Sequence, residues 1–501
     1  MKNSTLSDFL QQKLEREHPL PMNRQLYQLI REAILQQYLP VGLQLPSSRE
    51  LARELGIARN TVMFAYEQLI AEGFLQTRPG AGSFIADTTP QLPPEHAASG
   101  APLASQDAPL FSRRARTLLA HSGVSEQQSG AFMPGLPDVA HFPYKVWTRL
   151  HNKVWRRARL DMLSYSQSGG YMPLRAAIAD YLRLARSVNC SAENVLITHG
   201  IHQSLDLIAK LLCDAGDTAW VEEPGYWGIK SVLHALDVTP VPMAVDEEGM
   251  RLHNPAEGTC AGPKPKLICV TPSHQYPTGA LMSLARRRQL LEYAQSHQAW
   301  VVEDDYDSEF RFMGRPLASL QGMDAQGRVL YTGTFSKTLF PGLRIGFLVV
   351  PPALAPGFAT ALSELYRGGH IFTQAVLTDF INEGHFAAHV RRMRQLYAER
   401  RLCLQQAIAR ELPKATLYSG GEAGLHLTLR LPDECDDVAL CAAARAAGII
   451  ARPLSAYHLQ TGPACARGLV LGYAHVPPAQ IDSAFAQLAR LILQYSPTLK
   501  I

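Results

Sequence analysis

Five short apolar runs rich in branched residues, VLIT (195–198), LICVT (267–271), WVVED (300–304), VLYTGT (329–334) and FLVV (347–350), recur through the larger part of the chain. Helix-like segments separate most of them. Runs of this length read as buried strands, and strands alternating with helices assemble into a largely parallel sheet covered on both faces. This predicts an α/β domain whose ligand sits beyond the carboxyl ends of the strands, so chemistry is expected in the residues that directly follow each run. A chain of 501 residues exceeds what one core organises, and 47% apolar against 18% charged residues is a globular composition.

Between Asp87 and about Ser125, TTPQLPPEHAASGAPLASQDAP offers Pro, Ala, Ser and Gly without a sustained apolar period, and reads as an interdomain linker over 87–125. It separates a unit over 19–86 from a domain over 126–501. In the smaller unit, NRQLYQLIREAILQQY (23–38) places Leu26, Leu29, Ile30, Ala33 and Ile34 on one helix face. In LPSSRELARELGIARNTVMFAYEQLIAEGFLQTRPGAGSFIAD, Ser47 or Ser48 caps a short helix running to Leu55, and Gly56 supplies a turn. A second helix runs from near Arg59 to Gly73, and FLQTRPGAGSFI makes two short strands around a Gly/Pro tip. The outline is a winged helix-turn-helix, an α+β unit.

This order resembles the winged helix of the GntR family. The resemblance implies double-stranded operator DNA as a partner, with Arg49 at the phosphate backbone and Arg59, Asn60 and Thr61 opening the recognition helix in the major groove. It also sends Gly80, at the wing tip, toward the minor groove. The chemistry is compatible, since arginine can bond twice to a guanine edge and helix N-terminal amides favour phosphate. Charge lends no support: the first 86 residues hold nine Lys or Arg against eight Asp or Glu, and the whole chain carries +4.

In the large domain TGTFSKTLFPGLRIGF (332–347) ends a strand and surrounds Lys337 with small hydroxyl residues, with Arg344 seven positions on. A lysine beside an apolar strand end has its ammonium disfavoured, leaving an amine able to form a Schiff base. The stretch resembles the cofactor-lysine motif of fold-type I aminotransferases, which implies pyridoxal 5'-phosphate held on Lys337 as an internal aldimine. Thr334, Ser336 and Arg344 then contact its phosphate. In WVVEDDYDSEF (300–310) the resemblance assigns Asp304 to the pyridine nitrogen and Tyr306 to the ring hydroxyl, with Glu303 or Asp305 in the acid role if the register moves by one.

VLITHGIHQSLD reads as strand, glycine and helix, with Ile201, Leu205 and Ile208 on one face. Backbone amides near Ile201 and His202 make a phosphate seat at its N-terminus, with Gln203 a further donor. In VEEPGYWG the resemblance places Tyr226 against the cofactor ring. TPSHQYPTG (271–279) resembles a segment ending in Asn-Pro-Thr-Gly, but Tyr276 stands where Asn is usual, so what that Asn holds must be held otherwise, with His274 or Gln275 the candidates. Tyr165 matches a tyrosine that reaches the neighbouring subunit's phosphate, which implies a homodimer.

A GntR-like winged helix joined by a linker to an α/β, fold-type I PLP-dependent aminotransferase-like domain is the arrangement of the MocR/GabR family of bacterial regulators. The resemblance implies a DNA-binding transcriptional regulator that senses a small amino compound, or pyridoxal phosphate itself, at Lys337. The alternative is a genuine aminotransferase with an accessory DNA-binding domain. In the family's GABA-responsive member two arginines grip the substrate carboxylate; the aligned positions are Gly228 and Ala456, with Arg452 nearby. Response to GABA by that route is therefore not expected. The eight cysteines form no CxxC pair, so neither a metal site nor a disulfide framework is suggested. With no apolar stretch of secretory or membrane-spanning length, a cytoplasmic location without a membrane partner is expected.

Overall fold

The computed structural model describes residues 3–87, 111–120, 130–164, 169–252, 264–314, 318–419, 422–459, 462 and 465–499. Two compact units divide the chain, residues 1–109 and 110–501.

The first unit consists of α1 (Asn3–Lys13), α2 (Met22–Leu35), α3 (Ser48–Leu55), α4 (Arg59–Ala71), β1 (Leu75–Arg78) and β2 (Gly82–Ile85). Its core joins Leu26, Ile30 and Ile34 of α2 to Leu51, Val62, Leu69 and Ile85. Of the residues expected on the α2 face, Leu29 is only partly buried, and the helix ends three residues early because Gln37 turns into the left-handed region at φ 61°. Helix α1 was not read from the sequence. It is largely polar, yet Leu6 and Leu10, one helical turn apart, bury themselves in the same core.

In the second unit α5 (Arg113–Ala120) lies within the stretch that composition marks as linker. Arg113 and Arg114 stand 3.5 and 3.8 Å from Asp237. After α6 (Tyr144–Arg156) and α7 (Met172–Arg186) come β3 (Val195–Thr198), α8 (Ile201–Leu212), β4 (Thr218–Glu223), α9 (Trp227–Ala235), β5 (Thr239–Asp246), β6 (Gly249–Met250) and β7 (Leu267–Val270). Then follow α10 (Leu284–His297), β8 (Trp300–Asp305), α11 (Leu320–Met323), β9 (Val329–Thr334) and β10 (Gly346–Val349). The eight-stranded sheet has the order β3-β10-β9-β8-β7-β4-β5-β6. Pairing is parallel from β9 through β5, while β10 runs antiparallel to both β9 and β3. All five apolar runs form strands here, and β3, β7 and β10 are each four residues long and buried throughout.

Helices α12 (Ala355–Tyr366), α13 (Ile371–Asn382) and α14 (His385–Glu411) lead to β11 (His426–Arg430), α15 (Asp437–Ala446), β12 (Arg452–Pro453), β13 (Gly468–Gly472) and α16 (Pro478–Tyr495). The strands form an antiparallel sheet of order β11-β13-β12, whose core gathers Tyr397, Leu404, Leu427, Leu471 and Phe485. Among the described residues no helix is long and apolar enough to cross a membrane.

Candidate functional site

In the first unit Ser47 caps α3, its side chain accepting from the Glu50 amide, and Gly56 ends the helix at φ 63°. That left-handed turn carries the chain into α4, whose first residue is Arg59. Arg49, Arg59, Asn60 and Gly80 are exposed and Thr61 is half-buried. Arg59 Nε donates to Ser48 Oγ at 3.3 Å, which aims the guanidinium along the start of α4. Strands β1 and β2 pair from Leu75 with Ile85 to Arg78 with Gly82, and Gly80 takes φ 75° at the tip. A side chain there would meet no neighbour, so only the backbone conformation demands glycine.

The second unit's polar centre lies beyond the carboxyl ends of β8 and β9. Lys337 follows β9 in a tight turn that Ser336 N closes on Thr334 Oγ1 at 3.1 Å. The Lys337 amine donates to the Gly135 carbonyl at 2.9 Å. A Cβ at Gly135 would stand 2.7 Å from that nitrogen, so the backbone can approach only as glycine. Burial pulls the lysine's pKa below its usual value, opposed by Asp307 and Asp304. The balance favours a nucleophilic amine.

Three consecutive acids end β8, and strand alternation turns Glu303 and Asp305 to one face and Asp304 to the other. Glu303 accepts from the amides of Leu320 (2.9 Å) and Gln321 (2.8 Å). Asp305 pairs with Arg186 at 2.7 Å and accepts from the Tyr331 hydroxyl at 2.5 Å. Both are therefore engaged in holding the fold. Asp304 differs: its Oδ1 is buried with no hydrogen-bond partner. Burial, reinforced by Asp305 and opposed by Lys337, pushes its pKa up to about 8. A buried carboxylate oxygen without a donor is costly, and the protonated nitrogen of a pyridine ring supplies the missing donor. The residues present thus fit pyridoxal phosphate.

At the opposite end of the cleft Gly200 (φ 102°) precedes α8, and no side chain caps the first amides at Ile201 and His202. They remain available to an anion. Gln203 Oε1 accepts from His199 N at 2.6 Å, leaving its amide nitrogen as the donor. Arg344, exposed and in the left-handed region at φ 50°, follows the turn after Lys337. His202 Nε2 lies 2.9 Å from the Tyr226 hydroxyl, a partner the sequence did not suggest. Tyr226 stands edge-on to Tyr276 (5.9 Å, 83°), whose hydroxyl is 2.9 Å from that of Tyr457. Gln275 is wholly occupied, its amide nitrogen donating to Glu222, Pro224 and Tyr276 and its oxygen accepting from Thr278. His274, by contrast, faces Tyr306. A Cβ at Gly228 would stand 2.5 Å from the Tyr226 ring and 2.7 Å from His202 Nε2, whereas Ala456 is exposed. Tyr165 lies outside the described residues.

Sequence reading did not find Gly135, Asp307 or His426. Buried His274, Asp307 and His426 bring ligand-type atoms within 4.8 Å of one another, from three separate segments with no spacing motif to announce them. The His426 pKa is pushed down to about 3 by burial and by His274, so the ring is neutral, and its Nε2–H donates to the Pro277 carbonyl at 3.0 Å.

Residues 137–488 match the family Aminotransferase class I and II, and residues 22–85 match Bacterial regulatory proteins, gntR family. The chain is 40% identical over 481 residues to the "Probable rhizopine catabolism regulatory protein MocR" of Rhizobium meliloti, covering 96% of this chain and 95% of that one. It is 30% identical to the pyridoxine biosynthesis transcriptional regulator PdxR of Corynebacterium glutamicum, over 92% of this chain and 93% of the relative. Among solved structures, kynurenine aminotransferase of Pyrococcus horikoshii, crystallised with PMP, superposes with a TM-score of 0.67 at 27% identity, over 77% of this chain and 97% of that one. With a winged helix of one family and a cofactor domain of the other in a single chain, the protein belongs to the MocR/GabR subfamily of GntR-type, pyridoxal phosphate-dependent transcriptional regulators.

Proposed function

We propose that this regulator reads a small amino compound, or pyridoxal phosphate itself, at Lys337 and works as a homodimer on operator DNA. The observation that carries the reading is the unpartnered Asp304 Oδ1 in the same cleft as the Lys337 amine. Bound pyridoxal phosphate supplies an aldehyde for amines and a ring that withdraws electrons. In this assignment Asp304 holds the pyridine nitrogen, Tyr306 the ring oxygen and Tyr226 the ring face. Thr334, Ser336, Arg344 and the Ile201 and His202 amides hold the phosphate. Tyr165 of each protomer serves the other's phosphate, which is what makes the dimer necessary. Leu160 and Leu163, just upstream of Tyr165, are 86% and 61% exposed in the single chain, as suits a surface that a second copy covers.

The effector must favour one DNA-binding arrangement over another, because a ligand with equal affinity for both shifts nothing. Nuclease footprinting on the DNA upstream of the protein's own reading frame, with and without pyridoxal phosphate, tests the reading. Protection that changes with cofactor supports a sensor; no protection in either state favours an enzyme. Arg59→Ala should weaken binding to that DNA by about 1–3 kcal/mol, on the order of ten- to a hundredfold, at fixed salt, with α4 still folded. An unchanged affinity would remove Arg59 from the interface.

The pocket argues about the effector's chemistry too. At Gly228 the Tyr226 ring and His202 occupy the space an arginine would need, and Ala456 carries no charge. A carboxylate placed as GABA's is in the GABA-responsive relative would face no guanidinium from either position. GABA titrated into the cofactor-loaded protein should leave its visible absorption unchanged; a saturable shift would show that another group, Arg452 first among them, takes the carboxylate.

A further inference from the structure

The Tyr306 hydroxyl oxygen lies 2.9 Å from Nδ1 of His274, and the same nitrogen stands 3.1 Å from both Oδ1 and Oδ2 of Asp307. A carboxylate can only accept, so the proton between these groups sits on Nδ1, and a protonated ring nitrogen has no lone pair to offer. The Tyr306 hydroxyl therefore cannot donate to Nδ1: its oxygen shares the Nδ1–H with the carboxylate, and its own O–H proton points elsewhere. We propose that His274, braced by Asp307, is a positioning residue that turns the Tyr306 hydroxyl proton toward the cofactor's ring oxygen and strengthens that bond. This rests on the assignment of Tyr306 to the ring oxygen.

Packing holds the three groups in register. His274 and Asp307 are buried, and a side chain at Gly424 (φ 88°) would run into His274 Cε1 and lie 2.8 Å from Asp307 Oδ2, so the turn before β11 clamps the pair. The His274 and Tyr306 ring planes are inclined by 30°, with centroids 5.9 Å apart. Burial, with Asp307 adding to it, raises the Tyr306 pKa well above its usual value, so this residue stays a phenol and a donor. Asp304, Glu222 and Tyr276 also face Tyr306, while His426 stands beside His274 and Lys337 beside Asp304 and Asp307. A donor that itself accepts a hydrogen bond is polarised and donates more strongly. The arrangement also explains how a chain with Tyr276 at the usual Asn position manages: His274 acts through Tyr306 instead of on the cofactor.

The ring oxygen's negative charge helps retain the proton on the nitrogen that links the cofactor to Lys337. Drawing that charge toward Tyr306 loosens the proton, so the pH midpoint of the bound cofactor's absorption change is lowered. His274→Phe should raise the midpoint by about one pH unit, a tenfold change in proton affinity. Asp307→Asn, which preserves the packing, should move it the same way by less. His274→Asn, whose amide can donate from nearly the same place, should recover at least half of the shift. Tyr306→Phe should raise the midpoint by at least as much as His274→Phe, and the double variant should go no further than Tyr306→Phe alone. An unmoved midpoint in His274→Phe beside a shifted one in Tyr306→Phe, or additive shifts in the double variant, would overturn the proposal. An unmoved midpoint in Tyr306→Phe would instead overturn the assignment of Tyr306 beneath it. Stoichiometric zinc in the purified holoprotein would overturn the proposal as well, because a metal on Nδ1 would replace the proton on which it turns.

Discussion

Lys337→Ala protein, incubated with pyridoxal phosphate and treated with borohydride, is expected to keep its unmodified mass, while the wild type gains one reduced cofactor per chain. The expectation follows from the surroundings of the amine. Burial lowers its pKa, so the fraction able to attack an aldehyde is raised, and the Gly135 carbonyl fixes where the nitrogen stands. Among the described residues a second enclosed lysine of this domain, Lys230, donates at 2.6 Å to the Tyr457 carbonyl and at 3.0 Å to Glu223, a carboxylate that favours its unreactive ammonium form. Mass spectrometry of proteolytic fragments reads the outcome directly. Label retained elsewhere in Lys337→Ala would move the attachment point and with it the site.

Asp304→Asn should separate stability from binding. In the folded apoprotein the carboxyl titrates at about 8, against 3.8 ordinarily, so between these values the native state holds a proton the unfolded chain has lost. The contribution is full below the unfolded value and disappears as pH rises toward 8. The wild-type apoprotein should thus lose stability relative to Asp304→Asn as pH is raised through this window, and the variant should melt higher at pH 8. The cofactor reverses the order, since its protonated nitrogen needs a carboxylate opposite. Removing the charge should weaken cofactor binding by about 3 kcal/mol, on the order of a hundredfold. Thermal melts of both proteins from pH 5 to pH 8, with and without pyridoxal phosphate, test both halves. A variant that binds cofactor as tightly as the wild type would remove Asp304 from the ring nitrogen.

Local patterns were legible and long-range convergence was not. Five of the eight strands of the large sheet follow from branched apolar runs, and the turn at Gly56 and a cap at Ser47 or Ser48, which the structure gives to Ser47, follow from single residue types with one dominant use. The acid run at 303–305 shows the limit. Strand alternation says that Glu303 and Asp305 share a face, but which face meets the cofactor depends on Arg186, Tyr331 and the Leu320 amide, brought in from distant segments. Helix α1 escaped notice because two leucines one turn apart make too little of a pattern to separate from chance. The β11-β13-β12 sheet is short-stranded and assembled across long intervals, so His426 and Gly424 acquire meaning only once that sheet is folded against the loop carrying His274.

One mechanical consequence attaches to α9. Tyr226, its N-cap, stands in the cleft, and the ion pairs that tether α5 end on Asp237, just past its C-terminus. Nine residues of helix make a rod about 13 Å long, too short to bend appreciably. A displacement at one end of so short a helix is expected at the other, where α5 meets it through charges that rising salt would loosen.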